Sequence, residues 1–252
     1  MVPRGTDMST IRALALAHGR AKKRNNAVAA ALCGLIPAIL LARHIPTTWE
    51  RCLLGVIIGL VWANGFEYVY HRWLLHWPQS SFGQGHLMHH MTVGAAQEAE
   101  HATFGESPIY VVLLFAINGV LGLAVDLLFR VWISPGLFVG WAIYMIAVEE
   151  IHWRIHLEEW LPPGLEAART YHLAHHDISD GRYNVFFPLF DFVFQNINPP
   201  MEEIRLPVVS AGYLPARPAA EPGVAMRALE FCFMTWALLL ALHYHFLTGG
   251  HK

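Results

Sequence analysis

Charge is what this sequence has least of. Asp, Glu, Lys and Arg make up 14% of its 252 residues, where a soluble domain carries about 25%. That leaves too little polar surface to cover a water-facing globule. Neither sign dominates: 17 basic against 19 acidic residues give a net charge of −2, which excludes the basic footprint of a nucleic-acid binder. Cysteine is scarce as well. Cys33, Cys52 and Cys232 fall in apolar runs, and an odd number placed there is no disulfide framework and asks for no oxidising compartment. There is no glycine-rich phosphate loop, nucleophile elbow, Cys-x-x-Cys pair, low-complexity tract or repeat of fixed period.

What fills the space is apolar. Hydrophobic residues make up 55% of the chain, which excludes disorder and points to a membrane protein, by default one domain over residues 1–252. The opening Met1-Val-Pro-Arg-Gly-Thr6 reads as a protease-site remnant, with Met8 as the natural start and no signal peptide. Five apolar segments stand out: Ala27–Ala42 with Pro37 inside it, Cys52–Tyr70, Ile109–Phe129 interrupted by Asn118 and Asp126, Val131–Val148 started or kinked by Pro135, and Ala228–Leu247. Each is near the roughly 20 residues a span needs. The last could instead lie in the interface, because His243, Tyr244 and His245 make its end amphipathic. Short links join the first to the second and the third to the fourth, as in antiparallel hairpins. Arg12, Arg20, Lys22, Lys23 and Arg24 precede the first segment, and cytoplasmic flanks collect Lys and Arg. An inside N-terminus with five spans puts Arg43, Arg51, Arg130 and Lys252 outside and the other thirteen basic residues inside. The polar stretches 71–108 and 149–227 then share the cytoplasmic face.

Histidine is the anomaly. Ten of sixteen fall into four groups: His71-RWLL-His76, His86-LM-His89-His90, His152-WRI-His156 and His172-LA-His175-His176. All four lie at the cytoplasmic boundary of that topology. Helix residues three and four apart share a face, so each HxxHH is expected to aim three imidazoles into one volume, and His152 with His156 form an i, i+4 pair. His71 and His76 are five apart, about 140° around an ideal α-helix. As such they would serve one metal poorly, but could flank a pair of metals or bridge a helix end. Ten imidazoles exceed the need of one ion, and two metals with about five ligands each is the natural count. Imidazole suits Fe, Zn, Cu and Ni alike. His18, His44, His243, His245 and His251 read as ordinary interfacial polar residues, and His101 stays undecided.

This succession of HxxxxH, HxxHH, HxxxH and HxxHH resembles that of the fatty acid hydroxylase / sterol desaturase superfamily, over roughly residues 50–195. Tyr171 before the last box, and Asn184, Phe190 and Asp191 after it, are similar to that family too. Many members end this region in Trp-Asp and Gly-Thr; here Phe190 stands for the Trp and Gln195-Asn196 for the Gly-Thr. The resemblance implies an all-α membrane protein: four transmembrane helices, or five with the last segment, in hairpins under a cytoplasmic helical cap that holds a dinuclear metal site. It implies His71, His76, His86, His89, His90, His152, His156, His172, His175 and His176 as ligands of two Fe ions, with Zn able to replace them in purified samples. O2 would be the co-substrate and a fatty-acyl, sterol or related lipid the substrate. With no HPGG haem motif here, electrons would come from a separate cytochrome b5-like or ferredoxin-like protein.

Glu149, Glu150, Asp177, Asp180 and Asn184 lie near the boxes and could accept a ring N–H from a ligating His. Trp62, Phe66, Tyr68, Tyr70, Trp73, Trp77 and Trp153 could line a substrate slot, though an interfacial aromatic belt explains them more cheaply. Lipid hydroxylation is the leading reading. Desaturation on the same scaffold is its rival, and a His-rich metal transporter or sensor is the reading from a different class, which predicts ligands near the bilayer midplane.

Overall fold

The computed structural model describes residues 7–78, 81–105, 107–177 and 181–197. The segment Ala228–Leu247 lies outside them. Within them the chain is helical, without a strand: α1 Met8–His44, α2 Trp49–Val69 continuing into a π-helical turn Tyr70–Leu75, α3 Ser81–Thr92, α4 Glu98–His101, α5 Pro108–Phe129, α6 Ser134–His156, α7 Glu166–Asp177 and α8 Leu189–Val193. Four of these helices are long and apolar enough to cross a bilayer: α1, α2 with its π-turn, α5 and α6. The protein is an integral membrane protein of all-α class.

The first helix is far longer than its apolar run. It begins at Met8 instead of near Ala27, because its polar half is rich in helix-favouring Ala, Leu, Lys and Arg and finds partners of its own. The chain divides into two compact units, and α1, α2, α5 and α6 contribute to both.

One unit comprises residues 30–63 and 112–144 of the described chain. Here α2 and α6 meet along glycines: a Cβ on Gly136 would overlap the Cys52 carbonyl, and one on Gly55 the Ile133 carbonyl. Lipid tails supply no hydrophobic drive between helices, so small residues that admit close backbone contact do the packing. The two polar residues interrupting α5 are both partnered. Asn118 Oδ1 accepts from Trp62 Nε1 at 2.8 Å. Asp126, fully buried, accepts the N–H groups of Ile133 and Ser134 at 3.2 and 2.7 Å, capping the start of α6, where Pro135 sits in the first turn with no N–H to satisfy. Ile36, Ile39, Leu53, Ile57, Ile117 and Val120 remain half exposed or more, as suits a lipid-facing surface.

The other unit comprises residues 7–29, 64–111 and 145–197 of the described chain. A small core of Ala15, Ala99, Ala102 and Trp153 joins α1, α4 and α6. The Gly19 position presses so closely on the Ala99 carbonyl that no side chain fits. Lys22 Nζ donates to the Glu100 carbonyl at 3.0 Å, and Lys23 pairs with Glu150. All ten clustered histidines belong to this unit.

Candidate metal centre

The four histidine boxes occupy helix ends and two short helices: the π-turn after α2, α3, the last turn of α6, and α7. They bring all ten rings together in two groups. His71, His76, His86, His90 and His175 form one, and His89, His152, His156, His172 and His176 the other. Within each group one ring nitrogen of every residue lies within 4.8 Å of all the others. The groups adjoin: the His90 and His176 ring centroids are 4.2 Å apart, and those of His86 and His89 5.6 Å.

Two geometric expectations change. His71 and His76 share a group, their rings stacked at 5.3 Å. The helix carrying them is wound as a π-helix, whose i→i+5 hydrogen bonding brings residues five apart into line. Each HxxHH divides its rings instead of pooling three. His86 and His90 go to the first group and His89 to the second, while His172 and His176 go to the second and His175 to the first. At about 100° per residue, positions i+3 and i+4 lie on opposite flanks of position i. One helix can therefore feed two adjacent sites, and the two ends of the centre exchange roles. The π-turn and α3 provide four rings to one group, and α6 and α7 provide four to the other.

Hydrogen bonds fix which nitrogen faces inward. His71 Nδ1 donates to the Tyr183 carbonyl, His152 Nδ1 to the Ala102 carbonyl at 3.0 Å and His175 Nδ1 to the Gly181 carbonyl at 2.6 Å. His156 Nδ1 donates to Glu98 Oε1 at 3.1 Å. A carbonyl can only accept, so His71, His152 and His175 carry their proton at Nδ1 and present a bare lone pair at Nε2. The Nε2 atoms converge: His71 on His86 at 3.0 Å, His86 on His90 at 3.0 Å, His76 on His175 at 3.2 Å, His156 on His172 at 3.1 Å and His172 on His176 at 3.1 Å. His152 Nε2 and both nitrogens of His89 have no hydrogen-bond partner among the described residues. Converging lone pairs repel one another unless a cation lies among them, so the donor set fits two ions with five imidazoles each.

Burial sets the charge state. His71, His172 and His175 are fully enclosed, and His152 nearly so. Burial and the neighbouring rings push His76 down to about 3, and burial pushes His175 down to about 4. The same two causes hold His86, His89, His90, His172 and His176 well below the usual imidazole range. All are neutral at pH 7, the form a metal ligand needs.

The groups behind the rings are mostly not those the sequence suggested. Glu149 instead accepts from the Gly105 N–H at 2.8 Å and from Asn26 at 3.2 Å, and Glu150 pairs with Lys23 and Arg154. Asp177 is exposed at the end of α7, and Asp180 lies outside the described residues. Asn184 acts at one remove. Its amide donates to Glu67 Oε2 at 2.7 Å and to the Asn64 carbonyl at 2.9 Å, while Asp191 accepts the N–H groups of Tyr183 and Asn184 at 2.9 and 2.8 Å. These bonds lock the loop whose Tyr183 carbonyl accepts the hydrogen bond from His71 Nδ1. Phe190 packs on Gly65, and Asn196 ties the far end of the loop to Arg182 and Asp191. Burial pushes the Asp191 carboxyl up to about 6.

Glu98 escaped sequence reasoning, since nothing in spacing links it to His156, 58 positions away. Its other oxygen accepts from the Gly94 N–H, and burial pushes its carboxyl up to about 7. Of the aromatics, Tyr68, Tyr70 and Trp153 are buried; Tyr68 stacks on Phe194 and meets Tyr183 edge-on. The His101 ring is partly buried, and its Nδ1 has no hydrogen-bond partner among the described residues.

Compared with known proteins, residues 56–196, more than half of the chain, match the model of the family described as fatty acid hydroxylase. No curated protein and no solved structure matches.

Proposed function

We propose, from the premise that this chain belongs to the fatty acid hydroxylase family, that it is a membrane-bound, O2-dependent lipid hydroxylase. The observation carrying the proposal is the convergence of ten imidazoles into two adjoining groups of five. A pair of iron ions bound there would supply what no side chain can, oxidation of an unactivated C–H bond with O2 and two electrons.

The chain's own part is placement and exclusion. His71, His76, His86, His90 and His175 would hold one ion, and His89, His152, His156, His172 and His176 the other. The carbonyls of Tyr183, Ala102 and Gly181 keep the proton of three of these rings at Nδ1, so that Nε2 stays available, and Glu98 holds the His156 ring through its Nδ1; such outer partners are worth about 10–100-fold in affinity or activity. Phe104, set edge-on to both His71 and His152, packs an aromatic ring against both groups. The substrate is a lipid, a fatty-acyl chain, sterol or relative, reached from the bilayer that the four spans occupy. The centre faces the cytoplasm, as the basic N-terminal segment argues, and a separate redox protein delivers the electrons.

The test is lipid analysis of a host with and without the gene, together with iron analysis of the purified protein. The expected product has gained one oxygen and is absent when His175 or His176 is replaced. A product lighter by two hydrogens would assign desaturation instead. Iron-loaded protein with reductant and O2 that alters no lipid would overturn the assignment.

A further inference from the structure

A small cavity of about 10 Å³ lies beside the centre, the room one water molecule requires. Its walls are Tyr70, Leu75, Gly85, Thr103 and Phe104, together with His86 from one histidine group and His89 from the other. Thr103 is 5% exposed, and its hydroxyl oxygen has no hydrogen-bond partner among the described residues. A buried hydroxyl left that way is costly, and a polar void of this size beside it is where a small ligand would satisfy it.

The segment around Thr103 is tied in place from both ends. The Ala102 carbonyl accepts from His152, Phe104 packs on His71 and His152, and Gly105 is fixed through its N–H by Glu149 and through its carbonyl by Asn26. The hydroxyl is therefore presented by rigid backbone that touches both histidine groups.

We infer that this cavity is a binding site for one small oxygen-bearing ligand, water or dioxygen, and that Thr103 is the positioning residue that hydrogen-bonds it beside both halves of the centre. The inference rests on the two-ion reading above and adds a residue to it that no histidine box contains.

Thr103→Val keeps the shape and removes the hydroxyl, and Thr103→Ser restores it. Thermal unfolding of the full chain in detergent, stripped of metal, reads the water arm. A hydrated cavity predicts a melting temperature lowered by a few degrees in T103V and recovered in T103S, because the valine strands the ligand's hydrogen bond. A dry cavity predicts T103V at or above wild type, since an unmet buried hydroxyl has been removed. Azide titration of iron-loaded protein, followed by absorbance, reads the dioxygen arm: T103V should bind about tenfold more weakly and T103S as wild type. Loss in either arm identifies the occupant. Unchanged azide affinity together with an unlowered melting temperature overturns the inference. Iron content measured on the same samples reports separately on the two-ion reading, which the metal-free arm does not need.

Discussion

His175 and His176 are adjacent in the chain and face different groups. Replacing either with Ala should therefore take the ion from a different half. Each variant is expected to retain about one of two irons by elemental analysis and to lose turnover; two irons retained by either variant would remove that residue from the ligand set. Asp191 gives a pH-dependent prediction. Its folded carboxyl sits near 6 against 3.8 unfolded, so the folded state holds the proton more tightly, and its contribution is full below about pH 4 and lost as pH rises through 6. Wild type should gain about 1 kcal/mol over Asp191→Asn between pH 7 and pH 5, measured by denaturant unfolding at the two pH values. At this scale the ten histidines were legible because ligand spacing is written along the chain. Glu98 was not, because a single carboxylate opposite His156 leaves no periodic trace. Nor were the carbonyls of Tyr183, Ala102 and Gly181, since every residue has one.

At the scale of elements, four of the five apolar segments became helices where hydropathy placed them, and the fifth lies outside the described residues. The length of α1 was not visible in hydropathy, because its first half is held by contacts such as Lys22 to the Glu100 carbonyl and not by its own apolar face. The five-residue interval between His71 and His76 carried a message that an ideal-helix calculation could not decode: it suits a π-turn and no α-helix. The α2–α6 contact makes a sharp prediction. Gly136→Leu forces a side chain into the Cys52 carbonyl; backbone cannot yield as a side chain does, so the cost should reach the upper end of the overpacking range, about 3 kcal/mol. A lowered melting temperature in detergent checks it, and an unchanged one would mean that these helices can part.

At the scale of the molecule, the four described spans return the chain to the side where it began. Reporter fusions at Met8 and after Leu157 should both read as cytoplasmic, and insertions at 45–48 and 130–133 as external; any other pattern would place the centre on the wrong face. The crossed allegiance of α3 and α7 has a mechanical corollary. Because each of these helices grips both halves, no rigid shift of one can slacken a single half and leave the other taut. A displacement of either helix would carry rings of both groups with it, whereas a change to an individual ring touches one group alone.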